Sequence, residues 1–316
     1  MAFGQPDRVP LFPEGIRDEV IAAWRKQGLP AGQEISDIFH FDEFEEISLK
    51  LDPIPYFRRW PSNTTELKEY RRRLDPDDPR RLPSDWAECI HKWRQRQHPL
   101  FLEVHEGFFL TMGVNGWRRF DETIRLLMDD PGYVHTLLDM HGEFAAQMAE
   151  RVLQDVEVDA VIFSEPISGT HGPLISPRMY ADFVLRSYQP VFDVLKRHKI
   201  GTIILRTYAN SRPLFPVVCK TPINCLWSVE CEPSGMDYLS LRAELDSRLR
   251  LIGGIDADAL RYGKEAIRQE IVGRALPLLA QGGYIPLADG RVREFIPYEN
   301  YVYYRQLLEE ATTPQI

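Results

Sequence analysis

The 316-residue chain has few cysteines, no long apolar run and little at its N-terminus that resembles a signal peptide. Its four cysteines are too few, at this length, for a disulfide framework. No stretch approaches the roughly 18 consecutive apolar residues of a membrane span. The N-terminal MAFGQPDRVPLF lacks the basic region and apolar core of a signal peptide. We therefore expect a cytoplasmic protein without a membrane partner.

Basic side chains are also in the minority, with 38 Lys and Arg against 47 Asp and Glu and a formal net charge of −9. Proteins that bind nucleic acids concentrate positive charge on one face, so no nucleic-acid partner is expected. The late cysteines Cys219, Cys225 and Cys231 are spaced too widely for the CxxC pairs of structural zinc sites. Together with Cys89 they are interpreted as free thiols, and no tightly bound metal is expected. An oxygen-ligated ion at Glu165, Glu230 and Asp289 stays open as an alternative.

Short β-rich runs alternate with amphipathic helical stretches along the chain. Most of these runs are nearly continuous and apolar, which is typical of parallel strands covered on both faces. Eight repeats of this kind predict an α/β fold, a single (β/α)8 TIM barrel over residues 1–316. The predicted strands are Arg8–Phe12, Ile47–Leu51, Leu100–Val104, Ala160–Glu165, Thr202–Tyr208, Asn224–Glu230, Arg250–Asp256 and Tyr284–Asp289.

The helices are indicated by apolar residues at steps of three and four. One such face runs from Tyr133 to Val152 and includes His141, which we interpret as a packed histidine and not a ligand. Ser176 and Pro177 are typical of a helix start. Further helices are predicted over Asp256–Ala280 and Pro297–Glu310.

Two segments depart from this rhythm. Residues Pro53–Pro99 are rich in Arg, Asp, Pro and Trp, and predict a helical insertion or lid between the second and third strands. The opening MAFG resembles the end of a helix with a C-terminal glycine. Either the natural protein begins earlier or this chain lacks the leading helix.

Barrel enzymes place their sites at the C-terminal ends of strands, so we expect the residues there to carry the chemistry. Five carboxylates from five strands are expected to converge on the mouth, and buried unpaired acids are too costly to be explained by packing. In a functional interpretation these acids and His105 handle protons, while Arg206 and Arg291 hold an anionic group. In a structural interpretation the acids and arginines neutralise each other. The five carboxylates are Glu106, Glu165, Glu230, Asp256 and Asp289.

The candidate residues fall into two groups, both taken from the predicted strand ends. For Arg206, the expected partner is either an anionic ligand or a protein carboxylate such as Asp289. The catalytic candidates are Tyr208, Asp289, His105 and Glu165. The substrate-binding candidates are Arg206, Arg291, Glu106, His171, Asn210, Trp227, Glu230 and Asp256.

Four segments, in this order, resemble the uroporphyrinogen decarboxylase superfamily: PDRVPLF, SEPISGTHGPLISPRMYADFVL, LRLIGGIDADAL and QGGYIPLADGRVREFIPYENYVYYRQLL. The resemblance extends over nearly the whole chain. It implies a (β/α)8 barrel with its site at the C-terminal mouth, in agreement with the strand pattern.

Two departures from the superfamily's patterns bear on activity. The decarboxylases carry an arginine-bearing MRQAGR-type stretch after the first strand, where this chain has LFPEGIRDEVI with the lone Arg17. Uroporphyrinogen is therefore not the expected substrate. The zinc-dependent methyltransferases carry HxC ligands on the fifth strand, where this chain has Arg206-Thr207-Tyr208, so a thiolate zinc site is not expected.

The resemblance leaves three functions open. The first is methyl transfer from a small methylated substrate to a corrinoid protein, in which Tyr208 or an acid of the mouth protonates the leaving oxygen. The second is decarboxylation of a smaller carboxylate, and the third is a non-catalytic ligand-binding barrel. We expect no tightly bound cofactor, with a corrinoid carried by the partner protein in the first case. Association of two copies as a homodimer also stays open.

Overall fold

Seven parallel strands form the main sheet in the computed structural model, which describes Phe3 and residues 8–230, 235–245 and 248–313. The sheet order is β1-β2-β3-β6-β7-β8-β9, and every pairing in it is parallel. The strands are β1 Glu45–Ser48, β2 Leu100–His105, β3 Ala160–Glu165, β4 Ser168–Gly169, β5 Gly172–Pro173, β6 Ile203–Thr207, β7 Cys225–Ser228, β8 Arg250–Ile255 and β9 Tyr284–Ala288. The short β4 and β5 pair separately as an antiparallel hairpin. The predicted α/β barrel class is confirmed.

Helices lie between the strands and cover the outer face of the sheet. They are α1 Asp18–Arg25, α2 Ile35–Ile38, α3 Leu67–Arg73, α4 Trp86–Arg94, α5 Phe108–Thr111, α6 Trp117–Asp129, α7 Pro131–Asp155, α8 Pro177–Met179, α9 Gln189–Arg197, α10 Phe215–Val218, α11 Tyr238–Leu245, α12 Lys264–Arg268, α13 Leu276–Gln281 and α14 Tyr298–Thr312. Among these described helices, none combines the length and apolar character needed to cross a bilayer.

Several local predictions are confirmed, and one helix is more irregular than its sequence suggested. The amphipathic stretch around His141 is the long helix α7, and His141 is buried in it. Ser176 caps α8, since its Oγ accepts a hydrogen bond from the Met179 N–H at 3.2 Å. The stretch predicted as one helix over Asp256–Ala280 is divided into a 3-10 turn at Ala257–Tyr262, α12, a π-helical turn at Gln269–Ala275 and α13.

The predicted first strand is wrong, because residues 8–12 form no strand. Pro10 and Pro13 each remove a backbone N–H donor, which weakens any continuous ladder there. The segment nevertheless lies between β9 and β1. Gly15 forms an isolated parallel bridge with Arg291, just after β9. On the other side, the Asp42 N–H, just before β1, donates to the Leu11 carbonyl at 2.9 Å.

The predicted second strand is displaced, since β1 begins two residues earlier and ends three residues earlier than Ile47–Leu51. The other six predicted strands agree with the structure to within two residues at either end. The displacement leaves Leu49 and Leu51 as buried residues beyond the end of β1.

Strand alternation separates an inner from an outer layer of side chains. The inner layer fills the barrel with an apolar cluster to which nearly every strand contributes: Phe12, Phe101, Ala160, Ile162, Ile204, Cys225, Trp227, Ile252, Ile285 and Leu287. The outer layer packs the sheet against the helices. Phe12 thus fills a place in the barrel interior although its backbone is not a strand.

A buried ion pair holds this N-terminal segment against the last helix. Arg305 of α14 places its Nη1 3.1 Å from Glu14 Oε2, and both side chains are almost fully buried. The Tyr301 and Tyr304 hydroxyls donate to the two oxygens of the same carboxylate, each at 2.7 Å. Arg305 also donates to the His40 carbonyl at 2.7 Å. The ENYVYYR segment therefore has a structural role in fixing the residues beside β9.

Residues 53–99 contain α3 and α4. The end of the segment lies beside the start of β1, where Lys92 and His98 pair with Glu45 at 3.1 Å each, and its middle lies beside the chain that follows β1. The fully buried Arg81 donates to the backbone carbonyls of Lys50, Asp52 and Arg73. Its guanidinium carbon lies 4.6 Å from the centroid of the Phe144 ring in α7. Arg81 thereby ties the segment to the chain that leaves β1.

We expect Arg305→Met to destabilise the fold by about 3–5 kcal/mol, because it leaves the Glu14 carboxylate buried without its charge partner. Urea unfolding should show a smaller loss in the double variant Glu14→Gln/Arg305→Met, which removes both charges. The exposed pair Arg125–Asp121, 2.9 Å apart, provides the control, and Arg125→Met should cost no more than about 0.5 kcal/mol. Equal losses at the two sites would contradict the role assigned to Glu14 and Arg305.

Candidate active site

Arg206 points into the barrel at the C-terminal end of β6, between two carboxylates. Its Nη2 lies 2.9 Å from Glu46 Oε2 of β1 and 3.6 Å from Glu103 Oε1 of β2. The ring of Trp227, on the neighbouring strand β7, lies 5.1 Å from the guanidinium carbon. Arg206 is thus paired within the protein, while its buried Nε has no hydrogen-bond partner among the described residues.

The expected protein partner of Arg206 was Asp289, and this expectation is wrong. Asp289 Oδ1 accepts a hydrogen bond from the Ala257 N–H at 2.7 Å, while Glu46 and Glu103 pair with the arginine. Neither glutamate was among the sequence candidates. A signal was present, since Glu103 alternates in step with the inward-facing Phe101 in the otherwise apolar strand LFLEVH.

Glu106 follows β2 in a tightly constrained turn. The next two backbone N–H groups are both held by buried side chains: Gly107 donates to His105 Nδ1 at 2.9 Å, and Phe108 donates to Glu165 Oε1 at 3.0 Å. Gly107 has a φ of 97°, and a Cβ there would lie 2.9 Å from Glu165 Oε1. Only glycine fits such a position without strain. The position of Glu106 is therefore fixed by its neighbours.

Burial raises the pKa of Glu106 to about 7, and the nearby carboxylates Asp52 and Glu103 add to the effect. Both protonation states are then populated near neutral pH. A carboxyl group with this property can act as a general acid or base.

His105 and Glu165 lie outside the strand ring, so the expectation that they line the mouth is wrong in its placement. The His105 ring centroid is 4.5 Å from that of Tyr188 and 5.0 Å from that of His141. Glu165 follows the outward-facing Phe163 by two residues, and its Oε2 accepts a hydrogen bond from the Tyr188 hydroxyl. Both side chains instead support the turn that carries Glu106.

Burial has opposite effects on these two groups. It lowers the pKa of His105 well below its usual value, so the ring is neutral and Nδ1 can accept the Gly107 N–H. It raises the pKa of Glu165 to about 7.

The other strand-end candidates are distributed around the rim. Tyr208 and Asn210 follow β6 and are partly exposed, and the Asn210 side-chain oxygen accepts the Arg212 N–H at 3.3 Å. Asp256 caps the 3-10 turn after β8, accepting the Asp258 N–H at 2.8 Å. The side chain of Asp256 thus has a structural task.

Three further candidates are exposed. Glu230 follows β7, His171 stands between β4 and β5, and Arg291 follows β9 beside Gly15. The five carboxylates expected to converge therefore do not form a single cluster. The acidic group that does lie together combines Glu106 with two residues not predicted, Asp52 and Glu103.

No group of three or more His, Cys, Asp and Glu side chains is arranged to hold a metal ion within the described parts of the chain. The thiols of Cys89, Cys219 and Cys225 are free, and Cys231 lies outside the described residues. At the positions that the resemblance aligns with zinc ligands, Arg206 and Tyr208 provide a guanidinium and a phenol. This donor set does not fit a thiolate zinc site.

A family model described as uroporphyrinogen decarboxylase (URO-D) matches residues 86–285, which is more than half of the chain. The chain belongs to the uroporphyrinogen decarboxylase family. The matched region contains β2 to β8 and the first two residues of β9, and with them Glu103, Glu106 and Arg206. Membership supports an enzyme of the decarboxylase and methyltransferase kind, without distinguishing the two.

Individual relatives are distant. The uroporphyrinogen decarboxylase of Pseudoalteromonas atlantica is 25% identical over 160 residues, covering 49% of this chain and 41% of the relative. That of Psychromonas ingrahamii is 24% identical over 203 residues, covering 62% and 54%. The chain thus matches only about half of the length of these relatives. The structural match to a solved endo-β-1,4-xylanase from Gloeophyllum trabeum extends over 84% of this chain and 95% of the xylanase, at 7% sequence identity. Its TM-score of 0.40 is too low to indicate a relationship.

Replacing Arg206 should lower stability, because the structure pairs it with two protein carboxylates. We expect Arg206→Met to cost about 3 kcal/mol, since Glu46 and Glu103 are left near each other without the cation. The triple variant that adds Glu46→Gln and Glu103→Gln should recover much of the loss in urea unfolding. An Arg206→Met protein as stable as the wild type would show that the pairing contributes little.

The raised pKa of Glu165 gives a pH-dependent stability. Between about pH 4.5 and pH 7 the unfolded state loses the Glu165 proton while the folded state retains it, so wild-type stability falls as pH rises. Glu165→Gln cannot ionise and escapes this loss. We expect the free energy of unfolding of the variant, relative to that of the wild type, to rise by on the order of 2–3 kcal/mol between pH 5 and pH 8, as measured by urea unfolding. If the difference in unfolding free energy between the two proteins stayed constant across that range, Glu165 would not be protonated in the folded state as we infer.

Proposed function

We propose that this protein is a small-molecule enzyme that removes a methyl group from a neutral or cationic methylated substrate and passes it to a corrinoid protein. The observation that carries the proposal is the pairing of Arg206 with Glu46 and Glu103. Family membership supports the general class of enzyme.

The charge of the mouth supports the choice of substrate. Arg206 is offset by two carboxylates, and Asp52 and Glu106 add further acidic groups beside Glu103. A substrate with many carboxylates, such as uroporphyrinogen, would meet uncompensated negative charge there. A neutral ether or a cationic amine would not.

Glu106 supplies the proton that ether cleavage requires. As the bond between the methyl carbon and the oxygen breaks, its electron pair stays on the oxygen, and the protonated Glu106 neutralises the leaving group. Its carboxyl is suited to this because its pKa, near 7, leaves the acid form populated at neutral pH. When docked, the corrinoid of the partner protein would supply the nucleophile that accepts the methyl group.

A second function, decarboxylation of a small carboxylate, is favoured by one observation. The Arg206 Nε is buried without a partner among the described residues, and a substrate carboxylate could accept its hydrogen bond. In that reaction Glu106 would protonate the carbon that loses carbon dioxide.

The two functions are separated by products. The protein is incubated with methoxylated aromatics and methylated amines plus a corrinoid protein, and in parallel with small carboxylates and uroporphyrinogen. Methyl transfer to the corrinoid supports the first proposal, and release of carbon dioxide supports the second. If ligands bind but no product forms in any of these assays, the protein is the non-catalytic ligand-binding barrel.

Glu106→Gln should reduce kcat for methyl transfer about 10²- to 10⁴-fold while changing KM much less, because the variant keeps the shape but cannot donate a carboxylic proton. Glu143→Gln, an exposed glutamate on α7, is the matched control and should retain full activity. Equal rates for wild type and Glu106→Gln would remove Glu106 from the mechanism.

A further inference from the structure

A small polar cavity lies behind Glu106, between the barrel and residues 53–99. Its volume is about 10 Å³, about the space that one water molecule requires. It is formed by residues of the chain after β1, of α3, of the Glu106 turn with α5, and of α7. The side chains in its lining that carry polar atoms are Asp52, Trp60, Tyr70, Glu106, Thr111 and His141.

Three of these side chains have a buried polar atom whose hydrogen bond is not made within the described protein. The Tyr70 hydroxyl, the His141 Nδ1 and the Trp60 Nε1 have no partner there, although all three residues are buried. Leaving such groups unsatisfied is costly, and a buried water commonly makes about three hydrogen bonds to groups of this kind. Thr111 is already satisfied by the Gly107 carbonyl at 2.9 Å.

The chemistry of Tyr70 and His141 suits a water. Burial raises the pKa of Tyr70, which keeps its phenol protonated. Burial lowers the pKa of His141 to about 4, which keeps its ring neutral. A phenol donor, a neutral imidazole nitrogen and the Glu106 carboxyl together provide three partners for one water, with no need for a cation.

The cavity has an outer end. Asp52 belongs to its lining and is an exposed residue, whereas Tyr70 and His141 are buried. A proton can therefore pass from solvent to the Asp52 carboxylate and reach the interior from that side.

We propose that a water molecule bound between Glu106, Tyr70 and His141 carries protons from solvent to Glu106, with Asp52 at the outer end of the path. After Glu106 has given up its proton, this water donates one proton to the Glu106 carboxylate and takes one from the Asp52 side. Proton number is conserved, and no oxidant or reductant is needed. The use of the path in catalysis rests on the proposed function, but the water site does not.

The groups that face Glu106 come from every element around it. They are Asp52 after β1, Glu103 of β2, Tyr70 of α3, and His141 of α7, with Arg81 reaching Asp52 from behind. Asp52 and Glu103 raise the pKa of Glu106, so removing the charge of Asp52 should lower it.

Infrared difference spectroscopy tests the site without any substrate. The carbonyl stretch of protonated Glu106 is identified as the band lost in Glu106→Gln, and its exchange is followed after transfer to D₂O. Tyr70→Phe removes one hydroxyl and keeps the ring. We expect it to shift the band and slow the exchange roughly tenfold, the effect of losing one hydrogen bond from the path.

The control is Tyr180→Phe, because Tyr180 is also fully buried and its hydroxyl also has no partner in the described chain, but it lies beside Glu165. It should leave the Glu106 band and its exchange unchanged. An unchanged Glu106 band in Tyr70→Phe, or an equal effect of both variants, would overturn the water path.

A second variant tests the same proposal without changing a buried side chain. Asp52→Asn changes an exposed residue, and we expect it to lower the pH at which the Glu106 band titrates and to slow its exchange. Asp77→Asn, an exposed aspartate in the same segment, is its control. An unaltered titration in Asp52→Asn would overturn the proposal.

The outcomes distinguish this inference from the proposed function. A responsive Glu106 band in a protein that transfers no methyl group from any tested substrate would support the water path and reject the function. Methyl transfer that depends on Glu106, with a band indifferent to Tyr70→Phe, would support the function and reject the path.

Discussion

The ion pair between Arg206 and Glu46, with Glu103 3.6 Å away, is the interaction on which the chemistry of the mouth depends. It joins three strands across the barrel interior. A charge in the barrel interior is stable only when it is paired. Removing either the arginine or the carboxylates leaves the opposite charge without a partner in a poorly solvated place. The pairing also commits the guanidinium to the protein. Around it lie an acidic rim, the buried ring of Trp227 and the Nε donor, which has no hydrogen-bond partner among the described residues.

The surroundings of this centre are stabilised by buried polar side chains behind the strands. The segment before α1 cannot be held by a ladder of backbone bonds, so Glu14 and Arg305 secure it to α14. His105 and Glu165 perform a similar task for the Glu106 turn. These groups are ionisable and buried, and therefore resemble catalytic residues in a sequence. Their partners are backbone N–H groups and tyrosines, which identifies them as supports.

The sequence predicted the strand ends well because buried parallel strands are marked by continuous apolar runs such as AVIFSE and RLIGGI. It predicted less well whether each strand-end side chain faces the barrel interior or the outer layer. Glu165 belongs to the outer layer because alternation from Phe163 places it there, and His105 because β2 is irregular between Glu103 and His105. Glu46 could not be recognised as the partner of Arg206, since the pair is 160 residues apart in the chain. The role of residues 53–99 in lining the cavity likewise depends on contacts that no local pattern reveals.

The central claim is that Glu46 and Glu103 together hold Arg206 away from anionic ligands. Its most direct test is calorimetric binding of a matched pair of ligands, a methoxylated aromatic and the same compound with a carboxylate, to the wild type and to Glu46→Gln/Glu103→Gln. The account predicts that the wild type prefers the neutral ligand, and that the double variant gains affinity for the carboxylate by about tenfold or more, as a freed arginine can pair with it. A wild type that already prefers the carboxylate, with no gain in the double variant, would contradict it.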